Sequence, residues 1–127
     1  MKTYVVDTHA LAWFISRDRR LGRRARAILR DPSVRIIVPA TVLAEIKYLA
    51  HRGRIAQTLD DVLRAVNSDP RCTIYPVDLG VVLAASVNLD IHDSLIVGTA
   101  LVQREIVDGI LTRDKVIVAS GLVPTVW

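Results

Sequence analysis

The chain has 127 residues, 51% hydrophobic and 24% charged, a balance that suits one compact domain around one core and excludes a disordered chain. Cys72 is the only cysteine, which excludes an internal disulfide and a thiolate metal cluster, and His9, His51 and His92 lack zinc-type spacing. No apolar run reaches the ~18 residues a membrane helix needs, and the net charge of +4 leans toward a polyanionic partner. The first residues run straight into a strand pattern without a leader, so a soluble cytoplasmic protein is expected.

Residues 3–6 read as a strand and 9–15 as a helix. A second helix is expected over 21–30, with Leu21, Ala25, Ile28 and Leu29 on one face, broken by Asp31-Pro32. Seven arginines fall between Arg17 and Arg30. The run "VRIIVP" (34–39) reads as a buried strand, and residues 41–52 as a helix ended by Gly53. Thr58 and Asp61 form a capping-box pattern for a helix running to about Val66. "CTIYPV" (72–77) is a short strand, in which Cys72 reads as a small buried hydrophobe. Asp78 caps a helix over 79–88, and residues 92–105 form another helix. "GILT" (109–112) is a strand, and 122–126 a last short one. Strands alternating with helices predict a three-layer α/β fold with a mainly parallel central sheet. Ligands of such sheets bind beyond the carboxyl ends of the strands, so the residues just after strands carry the functional information.

Asp7 follows the first strand and Asp114 follows the "ILT" strand; Asp93 opens a helix. Each of them, like Asp78, has a plain alternative as an N-cap, because an Asp oxygen accepts from the free amides of the first turn. Glu45 lies inside a helix, at the edge of the apolar face made by Val42, Leu43, Ile46, Leu49 and Ala50. A carboxylate there needs a compensating donor or cation, and a surface ion pair with Lys47 or Arg52 is the bland solution. Taken together, carboxylates converging on one sheet edge would repel one another and raise each other's pKa. A divalent cation removes that repulsion, and oxygen-only ligation suits Mg²⁺ or Mn²⁺. An acidic centre beside a basic helix that attracts a nucleic-acid backbone is the logic of a metal-dependent nuclease.

Four segments, "VVDTHALAW", "VPATVLAEI", "IHDSLIVGTAL" and "ILTRDKVI", resemble in order and interval those of PIN-domain ribonucleases, more closely the VapC-type toxins of toxin–antitoxin pairs. The resemblance covers essentially the whole chain. It implies one PIN domain over 1–127, a catalytic and metal-holding set of Asp7, Glu45, Asp93 and Asp114, and a supporting hydroxyl at Thr112. It also implies Mg²⁺- or Mn²⁺-dependent hydrolysis of RNA, a homodimer, and a VapB-type antitoxin through which alone operator DNA is bound. Ser94 stands where many relatives carry Arg or Ala, and Gly98 where Ala is usual. Asp90 and His92 are expected to do no more than support Asp93, and His9 to lie near the site without entering it.

The mechanistic expectation is that Asp7, Asp93 and Asp114 hold one or two metal ions, with Glu45 a ligand or the group that orients the attacking water. Thr8 is expected to supply the cap hydroxyl while Asp7 faces the cation. Arg17, Arg19, Arg20, Arg23, Arg24 and Arg26 are candidates for contact with RNA or antitoxin, against the alternative of a solvated helix face. Trp13, Phe14 and Trp127 read as core or dimer-interface residues. An aspartate-nucleophile phosphatase is excluded because His9 occupies the place of its second Asp; an HD phosphohydrolase is excluded by the strands. The remaining rival is a non-catalytic nucleic-acid or protein-binding module on the same fold.

Overall fold

The computed structural model describes residues 1–127. In chain order the elements are β1 (Thr3–Val6), α1 (Thr8–Ser16), α2 (Arg23–Arg30), β2 (Arg35–Pro39), α3 (Ala40–His51), α4 (Leu59–Asn67), β3 (Cys72–Tyr75), α5 (Leu79–Ala84), α6 (Ile91–Leu101), β4 (Gly109–Leu111), α7 (Lys115–Ser120) and β5 (Thr125–Val126). The strands form one sheet in the order β3-β2-β1-β4-β5, with every neighbouring pair parallel. By the right-handed crossover rule α1–α4 lie on one face and α5–α7 on the other; most helix–helix contacts fall within these sets, and α3 and α6 also meet each other. The result is the expected three-layer arrangement.

The chain builds outward from β1 in one direction to β2 and β3, then crosses to β4 and β5 on the other side. The strand order therefore reverses between β1 and β4, where a crevice opens beyond the carboxyl ends. The register pairs Val6 with Leu111, so Asp7 and Thr112 emerge level with each other, and the Asp7 amide donates to the Leu111 carbonyl at 3.2 Å. All four residues of β1 are buried, as a central strand covered on both faces must be. The core runs from Val5 and Val6 through Ile36, Val38 and Ile110 to Ile46 on one helical layer and Ile96 on the other.

Several boundaries move for identifiable reasons. The helix expected over 79–88 stops at Ala84, because Ala85 is extended where it crosses α6 at Gly98. A Cβ on Gly98 would sit 2.8 Å from the Val81 carbonyl oxygen and 3.3 Å from the Ala85 nitrogen. That crossing explains the glycine. The helix expected over 92–105 runs from Ile91 to Leu101, and the Gln103 amide group closes its end by donating to the Thr99 carbonyl at 2.8 Å. β3 is an edge strand, with Thr73 and Ile74 exposed and Cys72 half-buried rather than enclosed. Helix α7 has no counterpart in the sequence reading; Asp114 caps its start, and Gly121, at φ 64°, ends it after six residues. Trp13 is a core residue, and the Trp127 ring lies against it at 5.9 Å. The main chain at Gly22 comes so close to Trp127 that a Cβ there would lie 2.4 Å from the Trp127 carbonyl carbon. No helix is long and apolar enough to cross a membrane.

Candidate active site

Asp7 leaves the end of β1 and caps α1: its Oδ1 accepts from the Ala10 amide at 2.8 Å. Its residue is only 7% exposed. Burial pushes its carboxyl above the ordinary range and the nearby Asp114 charge adds to this, while Thr112, the Ala10 amide and His9 oppose it. The expectation that Thr8 caps α1 is corrected here. Asp7 is itself the cap, because it stands at the N-cap position with extended backbone, and Thr8 is the first helical residue.

Asp114 emerges beyond β4 and caps α7, with Oδ1 accepting from the Val116 and Ile117 amides at 2.9 and 3.1 Å. The Thr112 hydroxyl oxygen accepts from the Asp114 amide at 3.0 Å. Thr112 is almost wholly buried and also hydrogen-bonds the Asp7 side chain, so it ties the two acidic turns together. Asp93 enters from α6, where Asp90 caps the helix by accepting from the Asp93 amide at 2.9 Å. Asp93 is 7% exposed. Its carboxyl is pushed up to about 6, first by burial and then by the charges of Asp114 and Asp90. Asp7, Asp93 and Asp114 thus come from three separate elements, and Asp114 raises both of the others.

Glu45, on α3, reaches the same cleft in a different state. Its partner is neither Lys47 nor Arg52 but His92 of α6, whose Nε2 bonds Glu45 Oε2. The Thr8 hydroxyl donates to the same oxygen at 3.2 Å. The His92 bond, with the ring's charge and Thr8 assisting against burial, holds the Glu45 carboxyl below its ordinary range. Glu45 in turn raises His92. Thr41 approaches the other ring nitrogen, Nδ1, at 3.3 Å. His92 therefore does more than support Asp93. Neighbouring helix residues point about 100° apart, so Asp93 faces the other aspartates while His92 faces α3. The sequence signal, a His beside an Asp at the start of a helix, becomes readable only once α3 and α6 are known to meet.

These groups line an open cleft of about 500 Å³, with His9, Tyr48 and Asp90 at its margins. No three histidine, cysteine, aspartate or glutamate side chains are grouped tightly enough to form a finished metal cage. Three of the acids instead turn to donors of the protein: Asp7 to α1, Asp114 to α7 and Glu45 to His92. The donor set still fits a hard divalent cation, since two carboxylates shifted upward by burial and, beyond that, by the Asp114 charge gain most from a positive charge between them. Asp7, Asp93 and Asp114, which line the cleft together, are the residues that would hold such an ion.

The six candidate arginines do not line the acidic cleft. Arg17, Arg19 and Arg26 border a separate hollow of about 640 Å³ with Trp13 and Phe14. Arg20 is clamped to Asp18 at 2.8 and 3.1 Å and lies over the Trp13 ring at 4.7 Å. Arg26 donates to the carbonyls of Asp18 and Leu21. Arg23 and Arg24 are exposed. Arg113, beside Asp114 in sequence, stacks over Trp13 at 4.6 Å and over Trp127 at 5.8 Å.

The PIN domain pattern matches residues 4–119, and the chain belongs to the PIN domain family. Among solved structures it is similar to a chain of VapBC2 from Rickettsia felis bound to a DNA fragment from their promoter. The TM-score is 0.65 with 12% identity, over 98% of this chain and 97% of that one. It is also similar to a domain of a functionally unknown protein from Methanocaldococcus jannaschii DSM 2661, with TM-score 0.58 and 23% identity, over 100% of this chain and 91% of that one. At these identities the likeness is one of fold. No curated protein matches the chain.

Proposed function

We propose that this PIN-domain protein is a metal-dependent endoribonuclease acting as the toxin of a VapBC-type toxin–antitoxin pair. The observation that carries the reading is the meeting of Asp7, Asp93 and Asp114 beyond β1 and β4, with Asp93 pushed up to about 6 partly by Asp114. Nuclease activity is typical of the PIN family. When bound, Mg²⁺ or Mn²⁺ supplies Lewis acidity that offsets charge on the phosphodiester and eases loss of a proton from the attacking water. Asp7, Asp93 and Asp114 hold the cation; Thr112 keeps the turns of Asp7 and Asp114 in register. Glu45 stays ionised under the influence of His92 and orients the attacking water from the far side of the cleft. The solvated Arg17, Arg19, Arg23 and Arg24 draw in the RNA backbone or meet an acidic antitoxin segment.

The partners follow the same reading. The Rickettsia felis relative is a VapBC pair on promoter DNA, which supports a VapB-type antitoxin here, with operator DNA reached through it. Leu79, Leu83, Val87 and Ile91 are exposed apolar side chains on α5, the turn after it and the start of α6, a fitting contact for a homodimer. We place the protein in the cytoplasm, where RNA and antitoxin meet it. The test is incubation with structured and single-stranded RNA in Mn²⁺, in Mg²⁺ and in chelator. Cleavage that needs the metal and disappears in a folded Asp7→Asn variant is the expected result; full activity in that variant refutes the assignment.

A further inference from the structure

The contacts around His92 define a role that goes beyond the four acids. His92 Nε2 bonds Glu45 Oε2 and lies 3.3 Å from Thr8 Oγ1, while Nδ1 lies 3.3 Å from Thr41 Oγ1. Thr8 is 3% exposed and Thr41 9% exposed, so two nearly buried hydroxyls flank the ring. Three elements, α1, α3 and α6, meet on this one imidazole.

Hydrogen-bond arithmetic fixes the ring's proton. An ionised Glu45 only accepts, and the Thr8 hydrogen is already donated to Glu45 Oε2, so towards His92 the Thr8 oxygen also accepts. Nε2 must therefore carry a hydrogen, shared between Glu45 and Thr8. Nδ1 faces a hydroxyl that can donate to it or accept from it, so the arrangement holds with a neutral or a charged ring. Both hydrogen bonds to Glu45 converge on Oε2, and none is made to Oε1.

We propose that His92 is a positioning residue: with Thr8 and Thr41 it anchors Glu45 through Oε2, so that Oε1 alone is left for the attacking water. The inference rests on the nuclease reading of the cleft. It assigns a reason for the fourth carboxylate standing apart from the Asp7–Asp93–Asp114 group: a side chain held by one oxygen presents the other at a fixed place, and a misplacement of about 1 Å costs catalysis on the order of a hundredfold. It also separates two neighbouring residues of α6, Asp93 for the cation and His92 for Glu45.

The experiment has two arms. In the metal-free protein, the ¹⁵N spectrum of the His92 ring is expected to show the hydrogen on Nε2, with slow exchange that is lost in Glu45→Ala. In the RNA assay, His92→Ala is expected to lower kcat roughly ten- to hundredfold while KM for RNA and the calorimetric Mn²⁺ affinity stay within about threefold. His92→Gln, which keeps an N–H donor at similar reach, recovers most of the loss. In a Glu45→Gln background, His92→Ala lowers kcat no further. A neutral ring with its hydrogen on Nδ1 and none on Nε2, equal losses in the Ala and Gln variants, or losses that multiply in the Glu45→Gln background would each overturn the proposal. If the wild-type protein cleaves no RNA, the nuclease reading fails and the ring spectrum alone decides whether His92 anchors Glu45.

Discussion

The two sides of the cleft hold the same functional group in opposite states. On one side Asp93, flanked by Asp114 and Asp90, has its carboxyl pushed up to about 6. On the other side Glu45, flanked by His92 and Thr8, is held below its ordinary 4.5. Both belong to the same crevice, and both feel some burial. On the aspartate side burial leads and the like charges of Asp114 and Asp90 add to it; on the glutamate side a ring donor and a hydroxyl outweigh burial. Environments that push two carboxylates apart in this way assign them different tasks. The crowded side is a receptor for positive charge, and the balanced side is a fixed base or orienting group.

Removing a charge from the crowded side is the strongest way to break this division. Asp93→Asn is expected to lower metal-dependent RNA cleavage by at least on the order of 10²-fold, the scale seen when one group stabilising transition-state charge is lost. Single-turnover kinetics on a folded variant check it. The same crowding predicts an unusual pH trend in metal-free protein. Asp93 binds its proton more tightly when folded, at about 6, than at its ordinary 3.8. Its contribution to stability is therefore complete below 3.8 and is lost as pH rises through about 6. Asp7 is shifted in the same direction. Glu45 adds its opposite trend only below 4.5, and His92 changes only above 6.5. Thermal melts in chelator between pH 4.5 and about 6 should thus show the melting temperature falling as pH rises, and Asp93→Asn should flatten the slope.

A third test disturbs both sides at once. Helix α6 carries His92 and Asp93 together, and its position depends on the close approach of α5 at Gly98. Gly98→Ala places a methyl against backbone atoms that cannot step aside, and is expected to cost about 1–3 kcal/mol of stability by overpacking, read from denaturant midpoints. The smallest effect distinguishes a cap from a site. Asp78 caps α5 by accepting from the Val81 amide at 2.9 Å, much as Asp114 caps α7. Asp78→Ala is expected to cost about 1 kcal/mol and leave cleavage unchanged, whereas Asp114→Ala loses the cap and the cleavage together.

The contrast between Asp78 and Asp114 also marks how far the sequence could be read. The parallel three-layer sheet followed from the alternation of elements, and with it the rule that residues just after strands, Asp7 and Asp114 among them, carry the functional information; the strand order that makes β1 and β4 neighbours did not. Capping was equally legible at Asp78 and at the Thr58–Asp61 box, both of which the structure contains. What stayed hidden depended on contacts between elements. The partner of Glu45 is forty-seven residues away on α6, so local pattern offered only Lys47 and Arg52. Gly98 looked like a neutral departure until α5 was seen to cross it. Thr8 was misread because Asp7 can cap a helix with one oxygen and keep the other for the cleft. The arginine run was legible as charge, but not as the stacked and clamped set in which Arg20 and Arg26 are held.

The central claim is that the crowded carboxylates exist to hold a cation, and calorimetric titration with Mn²⁺ at neutral pH tests it most directly. The account predicts binding by the wild-type protein and an affinity at least about tenfold weaker in folded Asp93→Asn. Equal affinity in the two proteins, or no Mn²⁺ binding by either, would contradict it and leave a binding module on a nuclease fold.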